Sequence, residues 1–175
     1  MKTNKKKKTL RPTSGKVREA LFDIMRGKIE NARFLDLYAG TGAVGIEALN
    51  EGAGEVFFVE ESRGNVRKIV ERIKKYQDAH KTTVITKKAM SFIHWAALQE
   101  LSFDIIFLDP PYHTDEIMHA LAAVGPSHIL AREGIVIAEH FTKNPLPDRL
   151  EGLRKVKEYH YGDTVLSFFQ TTGQR

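Results

Sequence analysis

The sequence predicts an α/β fold in which a mostly parallel, doubly wound sheet closes with an antiparallel hairpin. Three observations predict it. Apolar runs of strand length alternate with segments of helical periodicity, making five strand–helix units between residues 13 and 140. The fourth run, Phe103–Asp109 (FDIIFLD), is almost wholly apolar, as expected of a strand covered on both faces. Past Pro145 and Pro147 the alternation stops, and two segments flank Gly162-Asp163, a pair suited to a two-residue hairpin turn.

The elements follow in order. Thr13–Arg26 places Val17, Ala20, Leu21, Ile24 and Met25 on one helical face. Ala32–Tyr38 reads as a buried strand ended by Gly40 and Gly42, and Ala43–Asn50 as a helix closed by Gly52 and Gly54. Glu55–Glu60 (EVFFVE) is a second strand. Asn65–Tyr76 sets Val66, Ile69, Val70 and Ile73 against lysines and arginines, an amphipathic helix. Thr83–Thr86 is a third strand, Ala89–Leu98 a helix, Phe103–Asp109 the fourth strand, Asp115–Val124 a helix and Gly134–His140 the fifth strand. Arg154–Tyr161 and Thr164–Phe169 form the hairpin.

The chain has 175 residues, one domain's worth, with 42% hydrophobic and 28% charged residues. It contains no cysteine, which excludes disulfides, thiolate metal sites and cysteine nucleophiles. No apolar run approaches the roughly 20 residues of a membrane span, and no signal peptide is read at the start. A cytoplasmic protein without a membrane partner is the expectation. The net charge of +5 is uneven: residues 1–18 hold Lys2, Lys5, Lys6, Lys7, Lys8, Arg11, Lys16 and Arg18 and no acid, while the remainder sums to −3. Residues 1–10 are expected to be a basic, flexible tail and residues 11–175 a single domain. A basic end on a mildly acidic body suggests a polyanionic partner.

In a doubly wound sheet the ligand lies at the carboxyl ends of the strands. One motif there is Asp36-Leu-Tyr-Ala-Gly40-Thr-Gly42-Ala-Val-Gly45. Its glycines let backbone approach a ligand closely, and Glu60, 20 residues beyond Gly40, is placed to hold ribose hydroxyls. Glycine spacing alone also fits a dinucleotide. Asp36 favours a ligand with a cationic end, such as the ammonium and sulfonium of S-adenosylmethionine. The second motif is Asp109-Pro110-Pro111-Tyr112. The prolines hold the backbone extended while leaving carbonyls free. A carboxylate and a fixed carbonyl are two acceptors, the complement of an exocyclic NH2 group, and Tyr112 offers a face on which a base can stack.

Together the motifs resemble the amino-group methyltransferases and, more closely, the RsmD-like family that methylates guanine N2 in 16S ribosomal RNA. Arg11-Pro-Thr, Val17-Arg-Glu-Ala-Leu-Phe22, Leu35–Leu49, Phe58-Val-Glu60, Ala89-Met-Ser-Phe92, Phe103–Tyr112, Glu139-His140 and Tyr161-Gly-Asp-Thr164 carry the resemblance in order, across roughly residues 11–170. It implies a Rossmann-like class I methyltransferase fold with seven strands. The implied cofactor is S-adenosylmethionine, and the implied partner of a monomeric enzyme is rRNA or a small-subunit assembly intermediate. By position, Asp36, Gly40 and Gly42 would border the methionine part of the cofactor, Glu60 the ribose, and Ala89 and Met90 the adenine, with Tyr38 also among the cofactor-binding residues. Asp109, Pro110, Pro111 and Tyr112 would hold the target base. The family often has an acceptor before Ala89. Lys88 stands there and only donates, so the adenine contact would come from backbone or elsewhere.

Four further residues have plainer readings beside functional ones. Trp95 reads as core or partner surface, His113 as loop polarity, and Glu61 as a solvated helix-start carboxylate. His140 is read equally as a structural hydrogen bonder or a residue facing the cleft.

Overall fold

A computed structural model describes residues 14–112 and 114–173. The Lys2–Lys8 run, Arg11-Pro-Thr13 and His113 lie outside the described residues. The first helix, α1 (Gly15–Ile24), starts where Ser14 caps it, its Oγ accepting from Val17 N–H at 3.3 Å.

The alternating units form β1 (Arg33–Asp36), α2 (Ala43–Asn50), β2 (Glu55–Glu60), α3 (Arg63–Ile73), β3 (Thr82–Thr86), α4 (Ala89–Leu98), β4 (Phe103–Leu108), α5 (Glu116–Ser127) and β5 (Leu130–Phe141). Then come β6 (Arg149–Leu150), β7 (Leu153–Tyr161) and β8 (Thr164–Thr171). The sheet order is β3-β2-β1-β4-β5-β8-β7-β6. β1 to β5 run parallel, while β8, β7 and β6 are antiparallel. This is the expected class, hairpin included. The two-residue β6, paired with the start of β7, makes the described sheet eight-stranded.

Boundaries moved where side chains or pairing intervene. α3 begins at Arg63, ahead of the expected Asn65, because Ser62 Oγ accepts from Asn65 N–H at 3.4 Å and caps the helix earlier. β5 begins at Leu130 because Phe103 pairs with it across a register shift, which adds residues before the apolar run.

The sheet is buried on both faces. Phe34, Phe58 and Phe107 meet Leu21 and Phe22 of α1, Val44 and Ile46 of α2 and Ile69 of α3 on one side. Leu35, Phe103 and Leu108 meet Phe92 of α4 and Leu121 of α5 on the other. Full cover explains why these strands read as continuous apolar runs. The parallel pairing brings the carboxyl ends of β1, β2, β4 and β5 to one edge of the molecule.

Candidate functional site

Asp36 pairs across the ladder with Phe58 on one side and Phe107 on the other. Glu60 and Asp109 each follow those partners by two residues, so all three carboxylates gather at the carboxyl ends of adjacent strands. Between β1 and α2 the chain turns tightly: Ala39 N–H donates to Val59 O at 2.9 Å and Gly42 N–H to Ala39 O at 2.7 Å. Gly40 and Gly42 hold φ of 54° and 76°, a region open to glycine at little cost.

Acidic side chains brace this loop from within. Asp36 is buried, and its Oδ2 accepts from Gly45 N–H at 3.0 Å. Burial pushes its pKa up to about 7; the Gly45 N–H opposes this and the Glu60 charge adds to it. Both Glu60 oxygens accept from backbone: Oε2 from Gly40 N–H at 2.8 Å and Oε1 from Ser62 N–H at 2.7 Å. Each carboxylate oxygen retains a second lone-pair direction, enough to take a vicinal diol. Arg72 of α3 donates to Thr41 O at 2.6 Å and ties the loop from outside. Burial pushes the Tyr38 phenol pKa up, and the Glu116 and Glu61 charges add to that.

Beyond β4, Pro110 is buried while Asp109, Pro111 and Tyr112 are half-buried. The Tyr112 ring lies 4.1 Å from the Phe141 ring, centroid to centroid, with 31° between planes. Its hydroxyl donates to Glu139 Oε1 at 3.3 Å. Thr114 Oγ1 donates to Pro111 O at 2.8 Å, closing the loop ahead of α5. Ala89 is buried at the start of α4 and Met90 is 45% exposed. The backbone of Lys88 caps α4 with no side-chain cap bond, and its side chain is exposed.

All the residues singled out for cofactor and base therefore sit on one rim, at the ends of β1 and β2, in the loops after β1 and β4, and at the start of α4 after β3. Sequence reasoning missed the supports: Gly45 N–H on Asp36, Arg72 on the glycine loop, and Phe141 and Glu139 beneath Tyr112. A buried acid next to an apolar run (Glu139 after GIVIA) was the available signal for the last of these. His140 proves structural. Its Nδ1 lies 3.1 Å from the carbonyl oxygens of both Phe141 and Asn144, so it carries the proton, and its Nε2 is 2.8 Å from Ser167 Oγ. Trp95 packs against the α4–α5 core, with Lys87 Nζ 5.8 Å from its ring centroid. Glu61 is exposed ahead of α3. Among the described residues, no helix is long and apolar enough to cross a membrane.

Residues 1–170 match the family described as conserved hypothetical protein 95. The chain is 31% identical over 163 residues to YlbH of Bacillus subtilis, provisionally named an rRNA methyltransferase, covering 93% of this chain and 89% of that one. It is also 31% identical over 138 residues to ribosomal RNA small subunit methyltransferase D of Escherichia coli K12, covering 79% and 68%. Among solved structures, it is similar to the Escherichia coli protein yhhF, provisionally titled a methyltransferase, with a TM-score of 0.83 and 26% identity over 96% of this chain and 92% of that one.

Proposed function

This chain belongs to the conserved hypothetical protein 95 family of RsmD-like methyltransferases, and from that premise we propose that it methylates the exocyclic N2 of a guanine in small-subunit ribosomal RNA, using S-adenosylmethionine. One observation carries the reading. The braced glycine loop with Glu60, and the Asp-Pro-Pro-Tyr loop, stand side by side on the same rim.

The residues fit the cofactor. A carboxylate with both oxygens fixed by backbone N–H groups suits two ribose hydroxyls. Asp36, with its pKa pushed up to about 7 in the unliganded protein, is an acid that an approaching ammonium draws fully into its charged form. When bound, S-adenosylmethionine supplies a methyl group on a positively charged sulfur.

The chain's own residues act on the acceptor. Asp109 and the Pro110 carbonyl accept the two hydrogens of the guanine NH2. That pulls the nitrogen toward a tetrahedral shape and frees its lone pair from the ring. The same acceptors stabilise positive charge growing on nitrogen as the sulfur–methyl bond breaks and the nitrogen–methyl bond forms. One N–H proton then leaves through Asp109 to water. The contribution is positioning and electrostatic stabilisation; no strong base is needed before attack. Tyr112, held by Phe141 and Glu139, is the stacking face for a base turned out of its helix.

Labelling under-methylated small subunits and naked rRNA with tritiated S-adenosylmethionine, followed by nucleoside analysis, tests the proposal. N2-methylguanosine is expected. Label in N6-methyladenine, or none in RNA, would overturn it.

A further inference from the structure

The near-neutral charge of the body conceals a strong separation. Residues 63–88 carry nine lysines and arginines and two acids, a net +7, whereas the other described residues carry eleven basic and twenty acidic side chains, a net −9. This segment is α3 and the edge strand β3, on the outer flank of the rim that carries the candidate site.

Along α3 and its C-cap residue Lys74, the positions Arg63, Arg67, Val70 and Lys74 fall at i, i+4, i+7 and i+11 and share one face. Arg72 lies on the opposite side, bound to Thr41. Arg63, Arg67 and Lys74 are exposed, and none makes an ion pair among the described residues. The stripe is about 16 Å long from the helical rise. Its upper end begins three residues after Glu60. Lys87, beside Trp95, and exposed Lys88 extend it across the carboxyl end of β3. From β3 to β4 is three strand spacings, about 14 Å.

We infer that the α3–β3 flank is the docking surface for the phosphate backbone of the substrate RNA, laying the strand across the rim so that one base reaches Tyr112. The inference rests on the RNA substrate proposed above. Three features select RNA over an acidic protein or a membrane. The cations are unpaired along a line. Val70, 36% exposed, is the one large apolar residue among the stripe's four positions, too little for insertion into lipid. The other described residues sum to a net negative charge, which disfavours a polyanion there and orients it on this flank.

The test compares the full chain with two triple variants. Arg63→Gln/Arg67→Gln/Lys74→Gln removes the stripe, and Arg132→Gln/Arg149→Gln/Arg154→Gln removes exposed charges elsewhere. Arg63 in the first turn of α3 opposes the helix dipole and Lys74 at its C-cap favours it, so these contributions offset and the stripe variant should fold about as well as wild type; thermal melting checks this. Filter binding of a radiolabelled small-subunit rRNA transcript is measured against salt. The stripe variant should lose about 2–3 from the log–log salt slope, at about 0.7–0.9 per lost phosphate contact. Its RNA KM should rise on the order of tenfold at physiological salt, while kcat and the calorimetric S-adenosylmethionine affinity stay unchanged. The control should match wild type. An unchanged slope in the stripe variant, or an equal loss in both variants, would overturn the inference. Failure of the functional proposal reads differently: wild type would transfer no methyl group to RNA, while the binding slopes still report on the flank.

Discussion

At Asp36, the carboxyl braces Gly45 while burial, with help from the Glu60 charge, holds its pKa near 7, against about 3.9 for an unperturbed aspartate. The sign of the consequence follows from proton binding. Between about pH 4 and 7 the unfolded chain has lost this proton and the folded chain keeps it. The stability of the cofactor-free protein should therefore fall as pH rises through that window and flatten above it. Denaturant titrations at pH 5 and 8 should show this trend, and Asp36→Asn should remove this residue's share of it. Affinity for S-adenosylmethionine should move the other way, rising on the order of tenfold from pH 5.5 to 7.5 as Asp36 ionises to meet the ammonium. Calorimetry in that range stays below most of the titration of the ligand's own amine, and Asp36→Asn should abolish the rise. At Asp109 the expected order of transfer rate is wild type, then Asn, then Ala. Asn keeps one acceptor but loses the charge, and Ala loses both. Single-turnover methylation at saturating cofactor should show at least a ~100-fold loss for Ala, about 2.7 kcal/mol of transition-state stabilisation. Activity within a few-fold of wild type would reduce the Asp-Pro-Pro-Tyr loop to a structural turn.

The site depends on how closely α2 lies against β2. A Cβ on Gly45 would overlap the Phe58 ring, which is fully buried between the helix and the sheet. Gly45→Ala must push the helix outward or turn the ring, costing about 1–3 kcal/mol as an overpacked contact. The same shift lengthens the Gly45 N–H bond to Asp36, so cofactor affinity should fall along with the denaturation midpoint. A variant as stable as wild type would mean that the α2–β2 spacing is slack. Much at this scale was legible from local signals. α2 runs from Ala43 to Asn50 as its glycine boundaries indicate, β2 occupies Glu55–Glu60, and the Gly162-Asp163 turn joins β7 to β8. The shifted starts of α3 and β5 were less legible. One depends on a single serine cap and the other on pairing with a strand 27 residues earlier.

Across the whole molecule, polyanion binding has two candidate sources, the α3–β3 flank and the lysines before residue 9. Deleting residues 1–8 removes five lysines and should flatten the salt dependence of RNA affinity without changing S-adenosylmethionine binding. If the slope stays the same, those lysines make no phosphate contact. The sequence by itself determined the order of strands and helices, the rim on which the loops gather, and the residue types presented there. Periodicity, glycine and proline act over a few residues and survive in any reading of the chain. Only the tertiary structure decided that Glu139 and Phe141 meet Tyr112 from nearly thirty residues away. It alone set the basic run of residues 63–88 on the flank of the rim that carries the candidate site. Both outcomes depend on strand register and on which way each side chain leaves its element, and long-range packing sets these.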